Sequence, residues 1–587
     1  MIRRFTLHSI AIAVAFLFDI AGAQITRHVP SQFPTIQAAI QAAASGDTVL
    51  VQPGTYTENI DFQGKNVSVS GAGAEVTTIH GTGVGPVVVF RSGEGPGALL
   101  QGFTVRGGVG GSEFLMGEAG GIDIRAASPT IRDCIITDNR GGYGPNDAST
   151  FHGAGPGGIQ IRFSSLALVE RCLISENFGY EDTVTLNAGG PGGIRCFGSG
   201  PNDPSQPTFR DCVVKANSGG HLVGSGGVWL FASSATFERC RIVQNAAGAT
   251  ASGAFAAAGG VTIAAGSEPM FQSCVIAQNR GGATIGNAGT GAVFSDASEP
   301  TFIGCTIAGN RAGELGTPML GIGGIRSQAF SPGWPTISHC IVFGNRGAGA
   351  NDEILITPSP AALAPQTVMH SDVEGGYAGP GNIDVDPLFI DAANGDYHLA
   401  ASSPCIDAGS ATVAGSGADD IDHDPRVFYA AADIGADEFL SPTIRGSVAL
   451  GAGGPVPVLS VNGSAGPVAT VARNVSVTIA VDQPPAIPSP ASFVITGSYG
   501  TALLPAAEIA LPLGWGPYAL PLAGPEFFIL AASFGPLAGA YTVAAPAPWS
   551  LTIPGGSPVA LTVSLAGVIT EVGSTIAVTN LVTLVVP

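Results

Sequence analysis

Short apolar runs with alternating polar positions recur through the middle of the chain and predict β-strands. In the stretch "GGVTIAAGSEPMFQSCVIAQN", Val261 and Ile263 alternate with polar or small residues, "GSEP" interrupts the pattern, and further runs begin at Met270 and Val275. A period of two indicates strands rather than helices. Strands this short cannot form a stable sheet alone, so each is expected to pair with the same strand of the next copy.

This unit occurs seven times with a fixed spacing between its Cys and its Asn. A Gly pair, or Gly-Ala in one copy, precedes an apolar-x-apolar run, as in "GGIDI" at Gly120, and a Cys follows further on. An Asn stands five positions after each Cys: Cys134/Asn139, Cys172/Asn177, Cys212/Asn217, Cys240/Asn245, Cys274/Asn279, Cys305/Asn310 and Cys340/Asn345. A constant core with loops of variable length predicts stacked coils, in which three parallel sheets enclose a narrow apolar core.

Stacking would place the Cys residues in one column and the Asn residues in another. Parallel strands lie about 4.8 Å apart, which leaves Cβ atoms farther apart than the roughly 3.5–4.5 Å usual in disulfides. We therefore expect buried thiols that act as small apolar residues, with disulfides within the column as the alternative. Cys274 should lie between Cys240 and Cys305, and Phe271 should point into the same core.

Two turn features follow from the repeat. The Asn residues can adopt a left-handed backbone conformation and bond their own backbone, so the Asn column is expected to be structural rather than catalytic. The Gly pairs suit a turn that needs positive φ and close approach of two backbones.

The two ends of the repeat region resemble a known family. "PTIQAAIQAAASGDTVLVQPGTYTENI", from Pro34 to Ile60, is similar to the opening of right-handed parallel β-helix proteins of the pectin-lyase-like superfamily. "NIDVDPLFIDAANGDYHLAASSPCIDAGS" and "DDIDHDPRVFYAAADIGADEF" resemble the closing segment of large exported bacterial β-helix proteins, notably of planctomycete type. The resemblance covers about residues 30–440. It implies a β-helix over residues 24–440 whose open end is covered by a short helix with Ile36, Ala39, Ile40 and Ala43 on its apolar face.

The chain ends predict two further segments. Arg3 and Arg4 precede the apolar run "IAIAVAFLF", and Ala21-Gly22-Ala23 offers a small-residue cleavage site, so residues 1–23 are expected to be a signal peptide of a secreted or cell-surface protein. Residues 441–587 lack Cys and alternate apolar runs with Pro and Gly turns, which predicts a β-sandwich. This domain could serve as an anchoring or sorting module, with a carbohydrate-binding module as the alternative.

Composition and charge exclude several classes of protein. The 86 Gly residues lack the three-residue period of collagen. A formal net charge of −20 makes nucleic acid an improbable partner, because phosphates would be repelled. No 18-residue apolar stretch after the N-terminal segment lacks Gly or Pro, so no membrane span is predicted. We expect a monomer.

The outward positions of the "GGIxI" strands are the candidate functional row. Aromatic faces stack on sugar rings, while Arg and Gln bond hydroxyl or carboxylate groups, so this row predicts a binding surface for a polysaccharide or cell-surface glycan. Its candidate binding residues are Asp123, Arg162, Arg195, Trp229, Phe231 and Phe294, within a wider outward set that adds Arg125, Gln160, Phe197, Thr262, Asp296 and Arg326. The alternative is that loops cover the aromatic residues, which then only pack.

Catalysis by this row is a second hypothesis of a different class. Asp123 and Asp296 lie five coils apart, about 24 Å at the sheet spacing, whereas glycoside hydrolysis needs two carboxylates roughly 5–9.5 Å apart. A polysaccharide lyase acting on uronate polymers could use Arg162 and Arg195, with Ca²⁺ held by Asp123 and the loop acids Glu181 and Asp182. The preferred hypothesis is a non-catalytic exported protein that binds glycan, and no catalytic residue is assigned.

A cation site is predicted beyond the repeats. Asp420, Asp422 and Asp424 alternate in "DDIDHDP", so an extended backbone would place three carboxylates on one face. Carboxylates this close repel unless a cation or a guanidinium neutralises them. Ca²⁺ is the candidate ligand, since it takes six to eight oxygen atoms from flexible groups. The alternative is that Arg426 pairs with one Asp while the others face water.

Overall fold

The computed structural model describes residues 24–439 with gaps, and only strands beyond residue 439. The gaps are residues 114–115, 144–153, 182–188, 199–204, 221–223, 249–256, 285–286, 314–320, 329–333, 348–351, 358–366, 411–418 and 428–430. The predicted signal peptide, residues 1–23, and the loop residue Asp182 lie outside the described residues.

Three parallel sheets, with strands from Thr26–Val29 to Asp372–Val373, form the first unit's coils, which confirms the predicted all-β right-handed parallel β-helix. Each repeat coil contributes one strand to each of the three sheets, which are numbered here first, second and third, and a loop leads to the next coil. Within a repeat coil the order along the chain is third sheet, first sheet, second sheet. The strands of the first sheet are Thr26–Val29, Thr48–Val51, Ser68–Gly71, Leu99–Gln101, Thr130–Arg132, Leu168–Glu170, Thr208–Arg210, Thr236–Glu238, Met270–Gln272, Thr301–Ile303, Thr336–Ser338 and Val368–Met369.

The other two sheets flank the first. The strands of the second sheet are Gly54–Thr57, Thr77–His80, Thr104–Arg106, Ile135–Thr137, Leu173–Ser175, Val213–Lys215, Arg241–Val243, Val275–Ala277, Thr306–Ala308, Ile341–Phe343 and Asp372–Val373. Those of the third sheet are Ile60–Asp61, Val88–Phe90, Ile122–Arg125, Ile159–Arg162, Ile194–Phe197, Val228–Phe231, Val261–Ala264, Val293–Asp296, Ile325–Gln328 and Ile354–Thr357. Each strand pairs in register with its copy in the next coil, so identical positions form columns.

The core consists of such columns. Phe209, Phe237, Phe271 and Phe302 stack with ring centroids 4.7, 4.8 and 5.0 Å apart and nearly parallel planes. The seven repeat Cys residues are buried and free, and the predicted placement of Cys274 and Phe271 in this core is confirmed. The thiols donate to backbone carbonyls of their own and the preceding coil, as Cys274 does to Gln272 and Phe237. They fill the core as small apolar residues with weak S–H donors.

The Asn column forms a continuous buried ladder. The Nδ2 of each Asn donates to the Oδ1 of the next, at 2.8 to 3.0 Å, from Asn139 to Asn345. The same Oδ1 also accepts the backbone N–H of the preceding Asn, as Asn279 does from Asn245 at 2.9 Å. The predicted structural role is therefore confirmed for these residues.

Two details of the turn prediction are wrong. The left-handed conformation belongs to the residue before each Cys and Asn, such as Asp133 and Asp138 (both φ 53), because a single left-handed residue makes the bend between two strands. The Gly pairs lack positive φ, but the predicted close approach is present. A Cβ on Gly158 would lie 2.5 Å from the carbonyl oxygen of Gly193, so only Gly fits there.

An N-terminal helix covers the first coil. It spans Ile36–Ala42, and Thr35 begins it by accepting a hydrogen bond from the N–H of Ala38 at 3.1 Å. The predicted apolar face is buried against the core. No helix among the residues that the structure describes is long and apolar enough to cross a membrane.

The described residues of 386–438, here called the closing segment, pack back along the second sheet. The segment contains the hairpin of Phe389–Asp391 and Asp396–Leu399 and the 3-10 helix Ala392–Asn394. Its backbone forms hydrogen bonds with side chains of the coils. The carbonyl of Asp419 accepts from the hydroxyl of Ser273 at 2.9 Å, and the N–H of Ala436 donates to the hydroxyl of Thr306 at 3.0 Å. Two short antiparallel hairpins, Ser112–Glu113 with Met116–Gly117 and Ala283–Thr284 with Asn287–Ala288, occur in loops.

The chain divides into two compact units, Met1–Glu438 and Phe439–Pro587. The second unit is described by its strands alone, most of which pair antiparallel. They are Val448–Ala449, Pro455–Val456, Leu459–Val461, Val468–Thr470, Val477–Val481, Ser492–Tyr499, Phe527–Ala532, Trp549–Ile553, Leu561–Thr570, Ile576–Val578 and Val582–Val586.

Candidate functional site

The third sheet brings the predicted binding residues together in adjacent columns. One column runs through Asp123, Gln160, Arg195, Trp229, Thr262, Phe294 and Arg326, and the next runs through Arg125, Arg162, Phe197 and Phe231, with Asp296 further along. The predicted register of this row is therefore correct.

The predicted solvent exposure of the row is wrong. Arg195 is 0% exposed, Arg162 is 1% and Trp229 is 5%, and Asp123 and Phe294 are also buried, while Phe231 is half-buried. Described residues of the loops that follow the Asn turns bond to the row. Arg195 donates through Nη1 to the carbonyl of Ala154 at 2.9 Å. The row is thus an inner layer between sheet and loops, which is the packing alternative.

Within this layer Asp123 pairs with two polar side chains of the adjacent coil. Arg162 Nη2 lies 2.8 Å from Asp123 Oδ1, and Gln160 Nε2 donates to Asp123 Oδ2 at 3.1 Å. The guanidinium carbon of Arg195 stands 4.9 Å from the ring centroid of Trp229, a cation–π contact that a desolvated site strengthens. Burial raises the pKa of Asp296, which lies further along the row.

The lyase hypothesis required Arg162 and Arg195 to line an open cleft together with acidic loop groups. Both guanidinium groups are buried, and Arg162 is held by Asp123. Glu181, at the base of its loop, pairs with Gly189 through the backbone. The two guanidinium groups therefore line no open cleft in which they could meet a polymer.

A groove of about 630 Å³ lies instead between the second sheet and the closing segment. Three rings face it, those of Phe343, Phe389 and Tyr397, and Tyr397 meets Phe389 edge-on at 5.2 Å. Gln278 spans its floor and donates to the carbonyl of Ala392 at 3.1 Å. The Tyr397 hydroxyl is protonated at neutral pH and can donate a hydrogen bond, and burial raises its pKa further, to about 12.

Two glycines open the groove. Gln278 occupies the left-handed turn position before its Asn, whereas Gly309 (φ 64) and Gly344 (φ 68) occupy the equivalent positions of the next two coils. A Cβ on Gly344 would meet nothing closer than 4.0 Å, so the space above this turn is unfilled. The sequence shows this change as "AQNR" followed by "AGNR" and "FGNR", a signal that sequence reasoning missed.

An arginine column borders the groove. Arg280, Arg311 and Arg346 directly follow the Asn residues of three consecutive coils and pair with one another as parallel bridges. All three are exposed, and Arg311 and Arg346 line the groove. Among the described residues, no carboxylate lies within ion-pair distance of Arg280 or Arg346. The backbone positions of the three Arg residues repeat at about the 4.8 Å sheet spacing, on a chain whose net charge is −20.

The predicted arrangement of Asp420, Asp422 and Asp424 is wrong. The backbone turns here, and the buried carboxylate of Asp420 accepts the N–H groups of Asp422 and Asp424 at 2.8 and 2.7 Å. The three carboxylates therefore do not share one face. Burial raises the pKa of Asp420 to about 6. The alternative role of Arg426 is also not observed, since its guanidinium is buried and donates to the carbonyls of Gly435 and Asp433.

Asp422 instead meets a histidine. Its Oδ2 lies 2.9 Å from Nε2 of His398, and Asp396 contacts Nδ1 of the same ring. The Asp422 carboxylate, followed by Asp396, raises the pKa of His398 to about 9. Asp437 completes this group, with a ligand atom within 4.8 Å of those of His398 and Asp422.

Comparison with known proteins gives a family for the coils. The family model described as right handed beta helix region matches residues 67–257 and 224–352. No curated protein matches the chain. The chain is similar to the solved structure of a pectin methylesterase in complex with hexasaccharide VII, with 11% identity over 47% of this chain and 89% of that chain and a TM-score of 0.26. It is also similar to pectin methylesterase PemA from Erwinia chrysanthemi, with 10% identity over 47% of this chain and 89% of that chain and a TM-score of 0.27.

The family match falls on the repeated coils, and those coils form three parallel sheets around one apolar core. The first unit therefore has the fold of a right-handed parallel β-helix, and its coils match the family model for such a region.

Proposed function

We propose that this protein is an exported glycan-binding protein that holds a carboxylated polysaccharide in the groove between the second sheet and the closing segment. The observation that carries the proposal is the exposed column of Arg280, Arg311 and Arg346 beside an aromatic groove. Export is supported by the pattern of residues 1–23 alone.

The chemistry of the groove suits a sugar chain with acidic groups. A guanidinium presents a planar fork of donors that binds a carboxylate through two parallel hydrogen bonds. The repeat of the column is close to the length of one pyranose residue, so successive uronates could each meet one Arg. The rings of Phe343 and Phe389 offer apolar faces beside this column, and the Tyr397 hydroxyl and the Gln278 amide offer polar contacts.

Binding without cleavage is the form of this function that we propose. Among the described residues that line the groove, Asp386 is the carboxylate. Hydrolysis of a glycosidic bond needs a pair of them, and a lyase needs a base next to a neutralised uronate. The polysaccharide lyase alternative, which assigned these tasks to Arg162 and Arg195, loses its main support because both are buried.

The test is retention of the full-length protein in gels that contain polygalacturonate or, for comparison, a neutral β-glucan. Replacing Arg280 and Arg346 together by Gln should abolish retention by polygalacturonate. Gly344→Gln should also abolish retention, because its side chain would fill the groove. A non-glycine residue in the left-handed conformation costs about 1–2 kcal/mol of stability. Gln278 already adopts this conformation at the equivalent position of another coil.

Arg132→Gln is the matched control. Arg132 projects from the first sheet, donates to Gln101 at 2.7 Å and lies outside the groove. Its loss removes one positive charge of the same kind, against two in the double variant, and should leave retention unchanged. The proposal fails if wild-type protein migrates identically with and without polygalacturonate, or if the groove variants are retained like wild type. Appearance of unsaturated product absorbing in the ultraviolet would favour the lyase alternative.

A further inference from the structure

A histidine and two carboxylates converge where the closing segment doubles back on itself. His398 lies on the hairpin strand Asp396–Leu399, Asp422 lies in the turn after Asp420, and Asp437 stands near the end of the segment. One ligand atom from each lies within 4.8 Å of the others. Residues distant in sequence thus meet at one point, although nothing in the local sequence pattern joins them.

The imidazole is oriented for coordination. Asp396 contacts Nδ1 and also accepts the backbone N–H of His398 at 3.1 Å, which fixes the ring. Nε2 is buried and faces Asp422 Oδ2 at 2.9 Å without forming a well-directed hydrogen bond. In a metal-ligating histidine, one ring nitrogen bonds a carboxylate and the other ring nitrogen points at the metal and its further ligands. His398 has this arrangement.

Backbone hydrogen bonds hold both carboxylates in place. Asp420 accepts the N–H of Asp422 through Oδ1 and the N–H of Glu438 through Oδ2, each at 2.8 Å. This buried carboxylate therefore links the turn to the end of the segment. Asp437 accepts the N–H of Leu399 through Oδ2 at 2.9 Å, which ties it to the hairpin.

Several carboxylates surround His398. Asp396, Asp422 and Asp437 contribute three negative charges, and Asp420 is buried close by. Nη2 of Arg241 lies 3.8 Å from Oδ1 of Asp422. Carboxylates held this close favour a bound cation.

We propose that His398, Asp422 and Asp437 form a binding site for a divalent transition metal of the Zn²⁺ class, with Asp396 as a positioning residue. An imidazole nitrogen with two carboxylate oxygens suits Zn²⁺, which takes His nitrogen at about 2.0–2.1 Å and carboxylate oxygen at about 2.0–2.2 Å. Ca²⁺ prefers six to eight oxygen ligands. Small side-chain rotations would bring the three ligand atoms to coordination distance.

The site would stabilise the closing segment on the β-helix. It joins the hairpin, the turn and the last residues before the second unit, and the same turn region bonds the coils through Ser273 and Asp419. Binding to the folded chain alone raises stability by mass action. Zn²⁺ should therefore raise the Tm of the β-helix, and Ca²⁺ at the same concentration should not.

The experiment uses full-length protein freed of metal with a chelator, titrated with ZnCl₂ by calorimetry and melted with and without Zn²⁺. We expect one Zn²⁺ per chain and a Tm increase of several degrees. Asp422→Asn and Asp437→Asn should each weaken Zn²⁺ binding at least tenfold, and Asp396→Asn should weaken it about 10–100-fold. Asp424→Asn, which removes the same charge from the same turn, should bind like wild type.

Co²⁺ serves as a second probe, because its visible spectrum separates nitrogen and oxygen ligands from thiolates. A nitrogen–oxygen spectrum in wild type that disappears in Asp422→Asn supports the site. A thiolate charge-transfer band would place the metal on the buried Cys residues and overturn the proposal. Absence of binding at millimolar Zn²⁺, or unchanged affinity in Asp422→Asn and Asp437→Asn with native circular dichroism, would also overturn it.

Discussion

The side-chain carboxylate of Glu353 accepts two hydrogen bonds from Asn345, one from its backbone N–H and one from its Nδ2. Asn345 is the last member of the asparagine ladder, so no further amide can accept from it. Glu353 takes the place of the missing Asn in the next coil and completes the buried hydrogen-bond column, since an unsatisfied buried donor is costly.

This position predicts a pH-dependent stability. Burial, and then the neighbouring Glu374, raise the pKa of Glu353 to about 8. A carboxyl whose pKa rises on folding stabilises the fold fully below its unfolded pKa, near 4.5, and loses that contribution as the pH rises through 8. The Tm should therefore fall between pH 6 and pH 9, and Glu353→Gln should flatten this slope.

Glu299→Gln is the control for that measurement, because Glu299 is exposed and should leave the slope unchanged. Asp372 and Asp420, each with a pKa raised to about 6 by burial, act in the same direction at lower pH. A wild-type Tm that rises from pH 6 to pH 9 would contradict the assignment to Glu353.

Removing one amide from the middle of the ladder should be strongly destabilising. Asn245 donates to Val214 and Asn279 and accepts from Asn217. Asn245→Ala leaves several buried groups unsatisfied, at roughly 1–3 kcal/mol each. Urea denaturation should show a lower free energy of unfolding, while Gln244→Ala, at the exposed neighbouring position, should change it little.

The phenylalanine stack gives a second stability prediction. Phe271 lies between Phe237 and Phe302, with ring centroids 4.8 and 5.0 Å away. Phe271→Ala removes a fully buried ring and should lower the free energy of unfolding by about 3–5 kcal/mol. Met270→Ala, at the adjacent half-buried position, should have a much smaller effect in the same urea titration. Equal losses for the two variants would place Phe271 outside the core.

Replacing Trp229 tests whether the outward row of the third sheet packs under loops or binds glycan. Its ring is buried and covers the guanidinium of Arg195. Trp229→Ala should therefore lower the Tm markedly, with a loss of about 3–5 kcal/mol for a buried large aromatic residue. Retention by polygalacturonate should persist below the new Tm. Unchanged stability with lost retention would restore the third-sheet row as the glycan-binding surface.

The sequence could predict the columns but not what covers them. Period-two alternation and the fixed Cys-to-Asn spacing define the coil, since the inward positions of one coil must match those of the next. This is why the core position of Phe271 and the buried thiol of Cys274 were predictable. Alternation also assigns Arg195 and Trp229 to the outer side of the strand, but it does not reveal a second layer of loops above that side.

The sites depended on contacts between distant parts of the chain. The groove exists because the closing segment returns to the second sheet, where Gly309 and Gly344 leave space beneath it. His398 and Asp437 reach Asp422 through the same folding back, about which the "DDIDHDP" stretch carries no information.

The sequence by itself determined the repeating coil, the parallel pairing and the columns of Phe, Cys and Asn, because these follow from local period and from identical neighbours stacked in register. The tertiary structure alone decided which outward side chains meet water and which carboxylates meet the imidazole of His398. Those outcomes depend on the paths of irregular segments, which are set by individual hydrogen bonds such as those to Asp420 rather than by any periodic pattern.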